Sequence, residues 1–432
     1  MLKDFNPEFD AIGIDFGTTE CCTAVIRKHG PDFVALDPTT SNRTLPSYVG
    51  FDEKEPKCGK IVVDRMRNHA NCTVYDTKRI MGREFDKIVT DSLWPFNVIN
   101  ANSGASIEVD TFEGKKIKSP EEIVAVLLAH IKSNLESYQG RILSEAVITI
   151  PSGSTDEQIV STAKAAELAG WETVHFLPEP IAAAFAYFTE KDFLNNCNIL
   201  ICDCGGGTVD ICVAKISGGK FELLNYDGDS YLGGRDFDKL LFNYFETILK
   251  HTYKIDISKS NKKYLLNQMC QNIKHNLSTL AEDTLAVDSF ECDSNDFIPI
   301  TREKFEILAL PLILKMKDVI LRSISKANLQ KDQINYVFQV GGGCRMPMIK
   351  KMLKEIFPNS NHQCSIYPDW VVAHGAALYA YHLKTTKANG NKSPLSNRAV
   401  TGLLDRLKGV KNMVKFQFLP PKSSTNTTNI PA

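Results

Sequence analysis

The chain has 432 residues with a formal net charge of −1, and 43% of them are hydrophobic and 23% charged. This charge balance gives no excess of positive charge with which to bind nucleic acid or an anionic membrane. No apolar run is long enough to span a bilayer. Because the first residues lack the basic and apolar regions of a signal peptide, we expect a cytoplasmic protein that can also enter the nucleus.

A short apolar strand near the start of the chain ends in an aspartate, a glycine and two hydroxyl residues. Residues 11–19 read AIGIDFGTT, and an apolar stretch resumes at Cys21. This pattern predicts a β-hairpin, with Asp15 at the end of its first strand. A turn of Gly17, Thr18 and Thr19 lets the backbone come close to a bound phosphate.

The next part of the chain alternates helices and strands and contains two charged residues of interest. The pattern predicts a helix over 120–135, a strand over 145–150 and a helix over 156–169. Lys78 is followed by an arginine and a Gly-Arg turn, so it is either a solvated surface lysine or a phosphate ligand. Glu179 comes just before a predicted helix, where a carboxylate acts either as a plain cap or as a water-orienting group for hydrolysis.

Residues 198–210, NILICDCGGGTVD, repeat the plan of the first hairpin. The strand ends at Asp203, the three glycines 205–207 and Thr208 form the turn, and Asp210 begins the return. Successive N–H groups in such a turn form a cradle for anions. Two aspartates beside phosphates require a cation such as hydrated magnesium. Alone, the stretch also fits a glycine-rich hairpin without a ligand. Its recurrence 188 residues after Asp15 (203 − 15) indicates a duplicated nucleotide-binding unit.

The last third of the chain supplies candidates for a nucleoside site. A predicted helix over 262–280 carries Lys274, His275 and Ser278, and one or two helices are predicted over 301–327. A buried strand over 336–340 leads into the glycines 341–343 and then Arg345, whose guanidinium can stack on an adenine ring. From about residue 385 the sequence is polar, which predicts a disordered tail over 385–432.

In this order, these pieces resemble the nucleotide-binding domain of the seventy-kilodalton heat-shock chaperone (DnaK-type) family, within the actin and hexokinase superfamily. The resemblance covers about residues 12–383. The motifs that carry it are 14–19 (IDFGTT), 42–48 (NRTLPSY), 78–83 (KRIMGR), 179–180 (EP), 203–208 (DCGGGT), 232–238 (LGGRDFD) and 341–347 (GGGCRMP). It implies an α/β, duplicated actin/hexokinase-like ATPase fold over residues 1–384, with two lobes, or four subdomains, around a central nucleotide cleft.

The resemblance also assigns roles to residues of this chain, with ATP or ADP and Mg²⁺ as cofactors and K⁺ as a further candidate cation. The implied catalytic residues are Lys78, Glu179, Asp203, Asp15 and Thr208. The implied metal-binding residues are Asp15, Asp203 and Asp210. The implied nucleotide-binding residues are Gly17, Thr18, Thr19, Gly205, Gly206, Gly207, Thr208, Lys274, His275, Ser278, Gly341, Gly342, Gly343, Arg345 and Asp369.

The chain departs from the family pattern at several of these positions. Gln271 and His275 stand where the family usually has a glutamate and an arginine facing the adenosine. Glu20 replaces an aromatic residue beside the first phosphate turn. Ile159 stands in place of an arginine that relatives use to transmit the nucleotide state, and the stretch after Leu383 is too short for the family's peptide-binding domain. We therefore expect a chain without such a domain.

The leading functional expectation is a slowly hydrolysing, ATP-binding chaperone-type protein in protein folding and quality control. The expected partners are J-domain proteins and nucleotide exchange factors, with no nucleic acid and no membrane. A non-hydrolysing, nucleotide-dependent adaptor is the alternative; Glu20 and Ile159 favour it, whereas retention of Lys78 and Glu179 opposes it. A sugar kinase of the superfamily would need an acceptor base and a polar sugar pocket, and no stretch stands out as either.

Overall fold

A computed structural model of the chain describes residues 5–37, 40–101, 104–190, 196–217, 220–290, 294–365, 367–388 and 415–417. The strands are β1 (Ile12–Phe16), β2 (Glu20–Arg27), β3 (Gly30–Phe33), β4 (Thr44–Pro46), β5 (Val49–Gly50), β6 (Lys57–Cys58), β7 (Thr73–Val74), β8 (Asn97–Ala101), β9 (Gly104–Thr111), β10 (Gly114–Lys118), β11 (Glu145–Ile150), β12 (Thr173–Pro178), β13 (Cys197–Cys204), β14 (Val209–Ser217), β15 (Lys220–Asp229), β16 (Glu282–Ala286), β17 (Phe297–Thr301), β18 (Tyr336–Val340), β19 (Asn361–Cys364) and β20 (Lys415–Gln417).

The α-helices are α1 (Lys60–His69), α2 (Pro120–Gln139), α3 (Asp156–Leu168), α4 (Glu179–Glu190), α5 (Gly234–His251), α6 (Lys262–Leu277), α7 (Arg302–Lys326), α8 (Pro347–Ile356) and α9 (Val371–Ala388). Short 3₁₀ turns lie at Pro7–Phe9, Ala70–Cys72, Thr77–Arg79, Phe85–Lys87, Asp288–Phe290, Lys331–Gln333 and Gly342–Arg345. Within the described ranges, no helix combines the length and apolar character needed to cross a membrane.

The two lobes are built on two mixed sheets with the same central plan. In the first lobe the strand order is β20-β12-β11-β1-β2-β3, with β4 also paired to β2. In the second lobe it is β15-β14-β13-β18-β19. Each sheet contains an antiparallel hairpin, β1–β2 or β13–β14, whose first strand also pairs in parallel with β11 or β18. The predicted duplicated, two-lobed α/β fold is thereby confirmed.

Helices α4 and α9 form the joint between the lobes. One apolar cluster contains their side chains together with residues of both sheets, such as Val147 of β11 and Ile201 of β13. The helices approach closely because Gly375 of α9 lies against the backbone of α4, where an added Cβ would stand 1.7 Å from the Ala182 carbonyl oxygen. Backbone contact of this kind leaves no room for a side chain, so it sets how α4 and α9 pack.

The lobes also meet at the opposite side of the cleft, through α1 and α6. Tyr264 of α6 is buried in the apolar core of the first lobe. One turn further along α6, the Gln268 side-chain amide donates to Asp64 Oδ1 of α1 at 3.0 Å. These two contacts join α1 and α6, and an ion pair between Arg235 of α5 and Asp76 of the first lobe, at 2.8 Å, adds a further link between the lobes.

Helix and strand boundaries follow the sequence predictions closely in the core and depart from them in the tail. The predicted strand over 145–150 is β11, and the helix predicted over 156–169 is α3. The stretch 301–327 forms one helix, α7, with Pro311 inside it. In the segment predicted to be disordered, α9 continues to Ala388 and β20 pairs antiparallel with β12. For these residues the structure describes a helix end and a strand where the sequence predicted disorder, and β20 supplies partners for backbone groups at the edge of β12. The rest of the predicted tail lies outside the described residues.

Replacing Gly375 with alanine should destabilise the fold. Alanine favours an isolated helix over glycine by about 1 kcal/mol, but here its methyl group meets the α4 backbone. We expect Gly375→Ala to lower the free energy of unfolding by roughly 1–3 kcal/mol in urea titrations. The control is Gly104→Ala, because a Cβ at that position meets nothing within 4 Å. Equal or greater stability of Gly375→Ala would contradict the proposed packing.

Candidate functional site

A cavity of about 870 Å³ lies between the lobes. Its walls come from the turns of both hairpins, the glycine loop after β18 and one face of α6. The predicted site residues that line it are Asp15, Gly17, Thr18, Thr19, Lys78, Glu179, Asp203, Gly205, Gly206, Gly207, Thr208, Lys274, His275, Ser278, Gly341, Gly342, Gly343, Arg345 and Asp369. Residues from distant parts of the chain thus converge on one cleft.

The tips of the two hairpin turns touch each other across the cleft. A Cβ added at Gly206 would lie 1.9 Å from Thr19 Oγ1, and one at Gly207 would lie 2.9 Å from Thr18 Cγ2. Arg79 adds a further link, because its guanidinium donates to the Gly207 carbonyl at 3.0 Å. Arg79 was not predicted as a site residue, although its position beside Lys78 in a basic turn was a usable signal.

Four carboxylates surround one lysine at the base of the cleft. Burial and then the nearby Glu179 raise the pKa of Asp15 to about 7. The same two causes raise the pKa of Asp210 to about 6. The pKa of Asp203 also lies well above its ordinary value, because of burial and then the Glu179 carboxylate. This excess of desolvated negative charge favours binding of a cation.

Lys78 lies in the 3₁₀ turn Thr77–Arg79, between the first hairpin and the start of α4. Its ammonium donates to the carbonyl of Phe16 and to Glu179 Oε1, the latter at 3.2 Å. Both side chains of the pair are largely buried, with 13% and 11% of their surface exposed. Lys78 is therefore not a solvated surface lysine, and Glu179 is more than a helix cap, because its carboxylate binds an ammonium inside the cleft.

The donor set fits a magnesium ion that keeps most of its water. Within the described part of the chain, no three His, Cys, Asp or Glu side chains are grouped closely enough to hold a metal. Mg²⁺ commonly uses only one or two carboxylates together with water and substrate phosphates. Asp15 and Asp203 face the cavity and can supply these ligands. Asp210 is not among the described residues that line the cavity and accepts hydrogen bonds from Thr208 and Tyr226; its assignment as a metal ligand stays a prediction.

The other end of the cleft contains the predicted nucleoside-binding residues. The Lys274 ammonium pairs with Asp238 Oδ1 at 2.8 Å and donates to the Gly234 carbonyl at 3.0 Å. Arg345 Nε donates to Asp369 Oδ1 at 3.1 Å. Desolvation in the cavity wall, followed by the charge of Lys274, lowers the pKa of His275. The imidazole at this end of the cleft is therefore neutral near pH 7.

Glu20 adds a further acid to the cleft, at the start of β2. Its side chain lines the cavity, and burial raises the pKa of its carboxyl, with a hydrogen bond to Thr44 acting in the opposite direction. The position had been noted as a departure from the family pattern. The structure places this carboxyl inside the cleft rather than on the outer surface.

Comparisons with known proteins agree with this architecture. A family model described as Hsp70 protein matches residues 11–395. The chain is similar to a heat shock 70 kDa protein of Neurospora crassa, with 36% identity over 376 residues covering 86% of this chain and 58% of the relative. It is similar to a heat shock cognate HSP70 protein of Trypanosoma brucei brucei, with 34% identity covering 86% of this chain and 56% of the relative. The chain thus spans less than two thirds of the length of these curated relatives.

The buried acids should make the ligand-free chain less stable at alkaline pH. The pKa of Asp15 is about 7 in the folded chain against an ordinary value of 3.8. The folded chain therefore holds a proton that the unfolded chain releases between these pH values. The stability contributed by Asp15 is complete below 3.8 and is lost as the pH rises through about 7. Asp15→Asn should remove this loss, because the amide cannot ionise but can still accept the hydrogen bond from Thr149.

We expect nucleotide-free, EDTA-treated Asp15→Asn to be more stable than wild type at pH 8 by roughly 1–3 kcal/mol, and nearly equal at pH 5. Urea unfolding at the two pH values measures this difference. Asp332→Asn, which changes an exposed acid, serves as the control and should show no such pH dependence. A variant less stable than wild type at pH 8 would show that the carboxylate cluster is not under electrostatic strain.

Proposed function

This chain belongs to the Hsp70 family, and on that premise we propose that it binds ATP and ADP in the cleft and slowly hydrolyses ATP with magnesium. The observation that carries the proposal is the convergence of two glycine-threonine turns on a buried Lys78–Glu179 pair. Phosphoryl transfer requires little from the protein beyond positioning and charge neutralisation, which such a site can supply.

The nucleotide is proposed to lie along the cleft with its phosphates between the hairpin turns. Main-chain and hydroxyl donors of Gly17, Thr18, Thr19, Gly205, Gly206, Gly207 and Thr208 would hold the phosphates. The nucleoside would lie against the loop Gly341, Gly342 and Gly343 and between Arg345 and His275, with Lys274, Ser278 and Asp369 around it. The charges support this orientation, because Lys78 lies at the hairpin end and Arg345 at the far end.

For hydrolysis, the proposed roles follow from the charges at the base of the cleft. Lys78 stabilises the negative charge that develops on the transferred phosphoryl group. Glu179 accepts a hydrogen bond from the attacking water and orients it, once phosphate competes for the Lys78 ammonium. Asp15 and Asp203 hold the hydrated ion, and Asp210 fixes the Thr208 hydroxyl at 2.9 Å. Magnesium, when bound, supplies charge neutralisation at the phosphates.

A role in protein folding and quality control is the wider part of this proposal. It is supported by family membership and by relatives named as heat shock proteins. J-domain proteins and nucleotide exchange factors are the proposed partners, and the cytoplasm is the proposed location. These statements concern the activity of the whole protein, whereas the matched region corresponds to 58% of one such relative.

A second candidate is an adaptor that binds nucleotide without useful turnover. The specific observation in its favour is Glu20, a half-buried acid in the same cavity as the proposed phosphate turns. A carboxylate there repels phosphate and disfavours a precise arrangement for hydrolysis. Single-turnover hydrolysis of radiolabelled ATP, with and without a panel of sugars, separates an ATPase from an adaptor and from a sugar kinase.

Lys78→Ala should slow ATP hydrolysis strongly without abolishing nucleotide binding. Removing one preorganised cation that acts mainly in the transition state typically costs roughly 10²–10³-fold in rate. We expect that loss in the single-turnover rate with saturating Mg·ATP, and ATP affinity within a few-fold of wild type by calorimetry. Lys87→Ala, an exposed lysine in a neighbouring turn, is the matched control. An unchanged rate in Lys78→Ala would remove this lysine from the mechanism.

Restoring two charged residues on α6 should strengthen ADP binding. His275 is a neutral ring near pH 7, and Gln271 lacks the charge of a carboxylate acceptor. His275→Arg combined with Gln271→Glu offers a guanidinium to stack on adenine and a charged acceptor for the ribose. We expect ADP to bind tighter by about 1–2 kcal/mol in calorimetry.

The matched control for this double variant is His251→Arg with Thr247→Glu. These residues have the same spacing on α5, are exposed and do not line the cavity. The control should leave ADP affinity unchanged. Equal or weaker ADP binding in the α6 variant would refute the assignment of this helix to the nucleoside.

A further inference from the structure

Three cysteines meet behind the glycine loop at the nucleoside end of the cleft. Cys202 and Cys204 lie two residues apart on β13, so their side chains face the same side of the sheet. Cys344 lies in the turn Gly342–Arg345 that follows β18. All three are free and have no exposed surface. Cys344 Sγ donates to the Cys202 carbonyl oxygen at 3.5 Å, which places the Cys344 thiol directly against the backbone of Cys202.

This thiol cluster, defined as Cys202, Cys204 and Cys344, is in direct contact with the wall of the cleft. A Cβ added at Gly343 would lie 2.3 Å from Cys204 Sγ, and one at Gly341 would lie 2.4 Å from the Cys204 carbonyl oxygen. Both glycines line the cavity. A covalent change within the cluster would therefore be transmitted to the loop and to Asp203 between the two β13 cysteines.

We propose that Cys202 and Cys344 form an oxidation site, at which a disulfide ties the glycine loop to β13 and weakens nucleotide binding. The disulfide itself does not depend on the proposed function, whereas its effect on ADP does. The glycine loop contributes no side chains between the cavity and the thiols behind it, so an oxidant in the cleft has only the loop backbone to pass. A nucleotide lying against the loop would cover this face, so bound ADP should protect the thiols.

The chemistry balances with hydrogen peroxide as the oxidant. One thiolate sulfur attacks the O–O bond, which gives a sulfenic acid and releases one water after proton transfer. The second thiol then attacks the sulfenic sulfur, the S–S bond forms, and the hydroxyl leaves as a second water. Two thiols lose two electrons in total, and one peroxide accepts them. A dithiol reductant reverses the reaction by exchange.

The test uses the full chain treated with hydrogen peroxide in the absence and presence of saturating Mg·ADP. After alkylation of the remaining thiols and proteolysis, mass spectrometry should identify a Cys202–Cys344 linked peptide that dithiothreitol removes. We expect its yield to fall several-fold when ADP is bound. We also expect the oxidised chain to bind ADP about 10-fold more weakly, and reduction to restore the affinity.

Three variants complete the test: two remove a partner of the proposed bond and one is a control. Cys344→Ser should abolish the linkage and the loss of ADP affinity, and Cys202→Ser tests the same bond from its other end if the first variant is unstable. Cys364→Ser removes an exposed cysteine and should leave both effects in place.

Three outcomes would count against the proposal, and a fourth would count against the proposed function. Complete oxidation of Cys364 without any Cys202–Cys344 linkage would overturn the site, and a Cys204–Cys344 linkage would overturn the assigned pair. A linkage that leaves ADP affinity unchanged would overturn its effect on binding. Failure of the reduced chain to bind ADP would instead refute the proposed function, while the mass analysis would still decide whether the disulfide forms.

Discussion

Function in this structure depends on a group of desolvated carboxylates at the base of the cleft, of which only Glu179 is paired with the ammonium of Lys78. In each central hairpin an aspartate stands near the end of the first strand, Asp15 in β1 and Asp203 in β13. The two lobes bring these acids together at the base of the cleft. Burial prevents water from screening their repulsion, so the pKa values of Asp15 and Asp210 rise to about 7 and 6. The repulsion between these carboxylates makes the cluster unfavourable without a ligand. The same negative charge attracts a cation, including one that is bound to phosphates.

The contacts between the lobes are of two different kinds, and this difference bears on how the cleft can open. At the α4–α9 joint, backbone lies directly against backbone at Gly375, and a large apolar cluster includes both sheets. On the other side, α1 and α6 meet through Tyr264 and the Gln268–Asp64 hydrogen bond. An ion pair between Arg235 Nε and Asp76 Oδ1, at 2.8 Å, adds a polar link between the lobes. Opening by rotation about the joint would have to break these mainly polar contacts, whereas the apolar cluster at the joint can stay packed.

The proposed nucleoside end of the cleft combines a glycine loop that packs by its backbone with charged side chains that are already paired. Its imidazole is neutral near pH 7, and the Lys274 ammonium is already paired with Asp238. The glycine loop above the thiol cluster packs by backbone against Cys204. Affinity at this end therefore depends on how the loop is held as much as on the side chains that face the ligand. The proposed disulfide would act on the glycine loop, and the proposed α6 substitutions would act on the side chains that face the ligand.

The amino-acid sequence by itself determined the local units of this protein. Each central hairpin is specified by a strand followed by an aspartate, glycine and threonine. This local pattern is sufficient because the conformation of a turn is set by residues that are neighbours in the sequence. The same holds for α3, β11 and the helix that starts at Glu179. The order of these units was enough to identify the two-lobed fold and most residues of the cleft. Local patterning succeeds here because backbone propensity and hydrophobic periodicity act over a few residues.

Only the tertiary structure decided which distant residues meet and in what state. It joined Lys78 to Glu179 across 101 residues of sequence and linked Arg79 to the opposite lobe through the Gly207 carbonyl. It placed Asp210 against the Thr208 hydroxyl, outside the lining of the cavity. It also paired β20 with the edge strand β12, in a segment for which the sequence alone indicated disorder. These outcomes depend on the packing of elements far apart in the chain. Burial, pairing and pKa are properties of that packing, and no local sequence pattern encodes them.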